Sequence, residues 1–247
     1  MKCPSCEKEN PEDAQFCNGC GKPFISKVRG WSIIRDLIKE EGKRWNKKRT
    51  LIVSVLGILA VIAIVWILSP NKTVKIGNQI WMTKNLNVDH YRNGDPIPEV
   101  ANRKQWSNLT TGAWCYYNND PENGKKYGKL YNWYAVNDPR GLAPKGWHIP
   151  SNEEFRELAA EVGYDGNALK AIGQGTGTNT SGFSSLFAGN FFDGGYFFDL
   201  DYYARFWSST EFTDVSANCI YLYYDASNIN FFNSDKLSGY SVRCVKD

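Results

Sequence analysis

Four of the seven cysteines fall within the first 20 residues as two close pairs, and nothing else in this 247-residue chain restricts its folding so tightly. Cys3-Pro4-Ser5-Cys6 and Cys17-Asn18-Gly19-Cys20 spell CxxC-x10-CxxC. Each pair can sit on a turn that aims two thiolates at one point, so the four can close a tetrahedron around Zn²⁺. Gly19 and Gly21 relax the second turn, where backbone amides face sulfur. A redox CxxC would need a flanking βαβ pattern, which is missing, and would leave the duplication unexplained. Two disulfides would need an oxidising compartment. The expected site is structural. Cys3, Cys6, Cys17 and Cys20 fill all four positions and leave none open for zinc-based catalysis.

Charge is distributed unevenly. Residues 1–50 carry 12 Lys+Arg against 7 Asp+Glu, whereas residues 70–247 carry 17 against 19. A formal charge of only +3 makes the whole chain no obvious nucleic-acid binder. An aromatic content of 15% excludes wholesale disorder. Between the two regions, residues 51–69 (LIVSVLGILAVIAIVWILS) run 19 positions without a charge. At about 1.5 Å per residue, a helix of that length crosses the roughly 30 Å core of a bilayer. Lys43, Arg44, Lys47, Lys48 and Arg49 crowd its N-terminal side, and only Lys72 and Lys75 closely follow it. The expectation is a single-pass membrane protein with a cytoplasmic N-terminus and a periplasmic or extracellular C-terminal domain. Residues 25–50 admit two readings. Ile33, Ile34, Leu37 and Ile38 recur at helical spacing, which suits an amphipathic helix on anionic membrane lipid. Equally, the stretch can be a basic juxtamembrane linker that serves topology alone.

MKCPSCEKENPEDAQFCNGCGKPF resembles the short zinc ribbon found at the N-terminus of many bacterial membrane proteins. Both knuckles match, as do Asn10, Ala14, Phe16 and the closing Gly21; Glu7 stands where glycine is usual. This segment, residues 1–24, is too small to bury a core, so metal binding must supply most of its stability. It lacks a basic cluster, so nucleic acid is not expected; its role can be to bind a protein partner, to sense something, or merely to cap the N-terminus.

Beyond residue 74 the chain changes to short aromatic-rich runs broken by Gly, Asn, Asp and Pro. Ser151 and Glu154 form a capping box, Phe155, Leu158, Ala159 and Val162 make one apolar stripe, and Gly163 closes the predicted helix. A shorter helical piece is expected at 167–172. Strands are expected at 79–82, 112–117, 206–208, 219–224, 229–233 and 240–245, the last three as a meander. Few strands alternate with helices, so the class is α+β. QIWMTKNLNV, GAWCYYNND, YGKLYNWYAV, LAPKGWHIPSNEEF, GFSSLFAGNF, FWSSTE and GYSVRCVKD follow in this order. Together they resemble the Fibrobacter succinogenes major paralogous domain over residues 76–247. That family is similar to the C-type-lectin-like and formylglycine-generating-enzyme-like folds. The resemblance implies a C-type-lectin-like twisted antiparallel sheet, one main helix and long irregular loops.

Catalytic residues are not evident. The exported part has two histidines, His90 and His148, and His148 sits just before the helix cap, where a packed structural role fits best. Ser184, Ser185, Ser208 and Ser209 lie in no nucleophile elbow. Asp193, Asp199 and Asp201 lack repeated calcium-ligand spacing and read as a solvated turn. The alternative is a cryptic formylglycine-generating-type enzyme of the cell envelope using Cys115 or Cys219, whose surroundings do not match that enzyme's paired cysteines. The resemblance places Cys115 and Cys244 in matched blocks, which favours a Cys115–Cys244 disulfide; a Cys219–Cys244 bridge and three buried free thiols are the competing arrangements. The aromatics are the strongest remaining feature: 6 Trp, 14 Tyr and 11 Phe among residues 74–247. Alternation in Cys219-Ile-Tyr-Leu-Tyr-Tyr224 and the pairs Phe191-Phe192, Phe197-Phe198 and Tyr202-Tyr203 must turn some rings outward. Outward rings flanked by Asn and Asp suit a glycan or an envelope protein, and simple packing of a loop-rich fold accounts for them too. The favoured function is therefore a membrane-anchored recognition protein, zinc ribbon inside and lectin-like domain outside.

Overall fold

The computed structural model describes residues 1–24, 73–192 and 195–247. The chain divides into two compact units, Met1–Ser69 and Pro70–Asp247. Within the first, the described residues repeat one knuckle with a 14-residue offset. Cys3 N–H donates to the Lys8 carbonyl and Cys17 N–H to the Lys22 carbonyl, both at 2.9 Å. Glu7 and Gly21 N–H donate back to the Cys3 and Cys17 carbonyls at 2.9 and 2.8 Å. Isolated antiparallel bridges join Lys2 to Glu9 and Phe16 to Pro23. Each knuckle closes through a residue with positive φ, 60° at Glu7 and 67° at Gly21.

The second unit is built mostly from strands. β1 (Thr73–Ile76), β2 (Gln79–Met82), β5 (Trp147–His148) and β11 (Val245–Lys246) form a sheet in the order β1-β2-β11-β5. Val245 lies opposite both Trp81 and His148, so the end of the chain is clamped between early strands. β8 (Tyr203–Glu211), β9 (Ser216–Tyr223) and β10 (Ile229–Asp235) form an antiparallel meander in the order β10-β9-β8. Two two-stranded pairs complete the set: β3 (Trp114–Cys115) with β4 (Leu130–Tyr131), and β6 (Ala188–Phe191) with β7 (Phe197–Leu200).

Period-2 alternation sets the core. Ala204, Phe206, Ile220 and Leu222 point to one face of the meander and pack with Trp81, Phe183 and the helix residues Phe155 and Leu158. On the opposite face, Trp207 and Cys219 pack with Tyr131, Trp133 and Tyr240. A third cluster gathers Trp106, Cys115, Leu130 and Phe191. Loops are pinned by buried cations. Lys170 Nζ donates to Asn167 Oδ1 (2.9 Å), Thr176 Oγ1 (3.2 Å) and the Ala226 carbonyl (2.7 Å). Lys129 Nζ stands 4.1 Å from the Trp114 ring centre. Lys236 pairs with Glu211 and donates to the Asp214 carbonyl.

Several expectations are corrected. The helix Asn152–Glu161 forms with its capping box as expected, Ser151 Oγ accepting from Glu154 N–H and Glu154 Oε2 from Ser151 N–H. It spans 10 residues and is the longest helix among those described. The unit is thus predominantly β with short helices, not the expected α+β domain carrying a single lectin-like twisted sheet. Its described strands are shared among four small sheets. The meander's third strand is β8; of the segment expected at 240–245, Ser241 bridges Phe206 of β8 in parallel and Val245 pairs in the β1-β2-β11-β5 sheet. The helical piece expected at 167–172 contracts to a 3₁₀ turn, Gly166–Ala168, followed by buried Lys170. The expected single-pass membrane protein, with its inside–outside localisation, also finds no support. No helix among the described residues is long and apolar enough to cross a membrane. The stretches singled out for that role, 25–50 and 51–69, lie outside the described residues.

Candidate functional site

The four ribbon thiols converge. All four Sγ atoms lie within 4.8 Å of one another, with Cys3 and Cys20 3.6 Å apart and Cys6 and Cys17 3.5 Å apart. Zn–S bonds of about 2.3 Å in a tetrahedron place neighbouring sulfurs roughly 3.8 Å apart, so the cage has the dimensions the metal requires. The surroundings of Cys17 favour its thiolate, whereas the neighbouring Cys6 thiol is pushed up, to about 12. Gly19 N–H and Asn10 Nδ2 donate to Cys17 Sγ at 3.3 and 3.5 Å. Asn10 is itself fixed, donating to the Lys8 carbonyl and accepting from Asn18 N–H, both at 2.7 Å. Burial opposes ionisation of Cys17, but the Cys20 and Gly19 amides outweigh it and hold the thiol down to about 6. Four sulfurs complete the coordination, so this is a structural zinc site. Sequence spacing pointed to all four ligands; the Asn10 contribution as a support for sulfur was not visible.

In the large unit, the residues considered for catalysis are engaged elsewhere. His148 Nε2 meets Glu154 Oε1 at 2.7 Å and Nδ1 meets Asp247 Oδ1 at 2.8 Å, so both ring nitrogens are committed. Desolvation pulls its pKa down, but the two carboxylates prevail and the net shift is upward. Cys115, Cys219 and Cys244 are free buried thiols, and no Cys115–Cys244 disulfide is formed. Burial pushes Cys219 and Cys244 up to about 12 and raises Cys115 further, which disfavours the nucleophilic thiolate. Of the acids considered for calcium, Asp199 pairs with Arg205 at 2.8 Å and Asp201 accepts from the Tyr127 hydroxyl at 2.9 Å. Asp193 lies outside the described residues.

What the structure does assemble is an aromatic face. Register places Tyr203, Arg205 and Trp207 of β8 opposite Tyr223, Tyr221 and Cys219 of β9, and Phe232 of β10 beside Cys219. Tyr240 covers the Trp207 end, with ring centres 4.5 Å apart. The other end is open. Tyr203, Tyr221 and Tyr223 are half-buried there, and on the β10 edge, in the row of Cys219, Phe232 is 54% exposed. Tyr203 lies 5.7 Å from Tyr221 and 4.6 Å from Tyr223, and Phe232 lies 6.4 Å from Tyr221. Arg205 braces them, its guanidinium 4.6 Å from the Tyr203 ring and 5.8 Å from the Tyr221 ring. Asp199 fixes its Nη2, and its buried Nε has no partner. The alternation at 219–224 pointed to the tyrosines, whereas the Arg205–Asp199 brace comes from two strands that no local pattern connects. Each aromatic doublet splits as expected: Phe191 is buried and Phe192 exposed, and Tyr202 is exposed beside half-buried Tyr203.

Comparison with known families bears on both units. The model of the Fibrobacter succinogenes major domain matches residues 74–246, and that of a zinc-ribbon domain matches residues 2–24. No curated protein and no solved structure matches the chain.

Proposed function

Since the chain belongs to the Fibrobacter succinogenes major domain family and carries a zinc ribbon ahead of that domain, we propose that it is a recognition protein whose large domain binds a glycan on the open aromatic face of its meander. The observation that carries this is the braced cluster Tyr203, Tyr221, Tyr223 and Phe232 over Arg205. Half-buried rings are held in place before a ligand arrives, so little side-chain entropy is lost on binding. Sugar rings offer apolar C–H faces that stack on aromatic planes, and their hydroxyls find Asn230 beside Tyr221. The buried thiols and the doubly paired His148 favour binding over the formylglycine-generating type of chemistry. The ribbon, stabilised by its zinc, serves as a small contact module for a protein partner.

The test is retention of the full chain on insoluble cellulose, chitin, xylan and peptidoglycan. At least one should retain the wild type. Tyr221→Ala combined with Phe232→Ala should weaken retention by roughly tenfold, the loss expected from two stacking contacts, with unchanged melting. Retention by none of the four, or equal retention of the variant, overturns the proposal. So does capture by protein components alone.

A further inference from the structure

A cavity of 640 Å³ opens where the segment after β2 meets the helix Pro121–Tyr127. Its wall carries Lys84, Lys125, Lys126 and Arg243, and no acidic side chain among the described residues contributes to it. That sign is opposite to the slight acidic excess of residues 70–247. The floor is Arg243, only 1% exposed and without a carboxylate partner among the described residues. Its guanidinium donates to Asn85 Oδ1 through Nε (3.2 Å) and Nη2 (2.7 Å), and through Nη1 to the Met82 carbonyl at 3.0 Å and the Phe183 carbonyl at 2.5 Å. These neutral acceptors, with the Phe183 and Phe206 rings 4.4 and 5.4 Å from the guanidinium, orient the cation without supplying a counter-charge.

The rim lysines differ in availability. Lys125 is tied to Glu122 at 2.5 Å. Lys126 donates to the Tyr127 hydroxyl at 2.6 Å, which in turn donates a hydrogen bond to Asp201 Oδ1 at 2.9 Å. Lys84 is exposed and makes no ion pair among the described residues. Lysines in the last turn of a helix are accounted for by its dipole. Lys84 and Arg243 are not, since they arrive from the segment after β2 and from the last stretch of the chain, on other walls of the same cavity.

We infer that this cavity is a binding site for the anionic group of a small organic ligand, a phosphate monoester or a carboxylate. Its volume lies within the range of small-molecule pockets, which runs from about 300 to 1,000 Å³. Cationic walls with no opposing acid concentrate anions and repel cations. The partly enclosed setting strengthens each attraction relative to open water. Arg243 supplies a fixed charge, Lys84 a mobile donor that closes on the ligand, and Lys126 a second once it leaves the Tyr127 hydroxyl.

Calorimetric titration of the full chain with glucose 6-phosphate, glucuronate and neutral glucose tests this and separates the two anionic sources. One or both anions should bind saturably and glucose should not. Binding should weaken as salt is raised, and Lys84→Glu and Lys126→Glu should each cut affinity at least tenfold. Both positions are exposed, and an unchanged melting temperature certifies the fold. No saturable binding of either anion overturns the inference, as does glucose binding equally well or an affinity indifferent to Lys84→Glu. The variants leave Tyr203, Tyr221, Arg205 and Phe232 intact, so this site and the aromatic face succeed or fail separately.

Discussion

At the scale of single residues, two positions carry a cost that can be measured. Glu7 occupies the left-handed region, with φ at 60°, where the second knuckle places Gly21. A residue with a Cβ is strained there by roughly 1 kcal/mol, so Glu7→Gly should stabilise the zinc-loaded ribbon by about that much. The check is competition with a chelator of known affinity: the variant should retain zinc at higher chelator concentration. His148 bridges Glu154 and Asp247, and its pKa is raised. A raised folded-state value contributes stability that is fully present below the unfolded value of about 6.5 and is lost as pH rises through the folded one. The side chain is 41% exposed, so the contribution should stay below about 1 kcal/mol. Melting temperature followed from pH 5 to 8 (the window spanning histidine titration) should fall more steeply for the wild type than for His148→Gln. Parallel curves would remove His148 from the account.

At the scale of elements, the sequence was most legible where a signal is local. The capping box at Ser151 and Glu154, the alternation through β9 and the two CxxC turns each lie within a few neighbouring residues. Partner choice was not legible, because it is decided by long-range burial. The last strand was expected beside β10, yet Val245 pairs with Trp81 and His148. Lys170 was expected on a helix, but its ammonium satisfies Asn167 and Thr176 of its own loop and the distant Ala226 carbonyl, which draws the chain inward. Close backbone approach is hidden in the same way. Gly175 has φ at 53°, and a Cβ there would stand 1.9 Å from the Tyr224 carbonyl oxygen. Gly175→Ala should therefore push the loop off the end of β9 and cost at least about 1 kcal/mol. Urea unfolding reads this as a lower midpoint at an unchanged slope. An unaltered midpoint would mean that the loop shifts freely.

At the scale of the whole molecule, two differently stabilised units share one chain. The ribbon holds together through zinc, since 24 residues cannot bury a core. The large domain holds together through three aromatic-rich clusters. Its fully buried tryptophans, Trp81, Trp106 and Trp207, sit one to a cluster. What remains outside those clusters is the functional residue of the fold: rings that packing has fixed but not covered. Tyr203, Tyr221, Tyr223 and Phe232 are the candidates, and recognition through them is the central claim. Hydroxyl-radical footprinting tests it most directly, with the full chain probed free and bound to whichever polysaccharide of the panel retains it. Oxidation of Tyr221, Tyr223 and Phe232 should drop several-fold on binding, while the exposed rings Tyr164 and Phe212 stay unchanged. Protection at Tyr164 or Phe212 with none on the meander face would contradict the account.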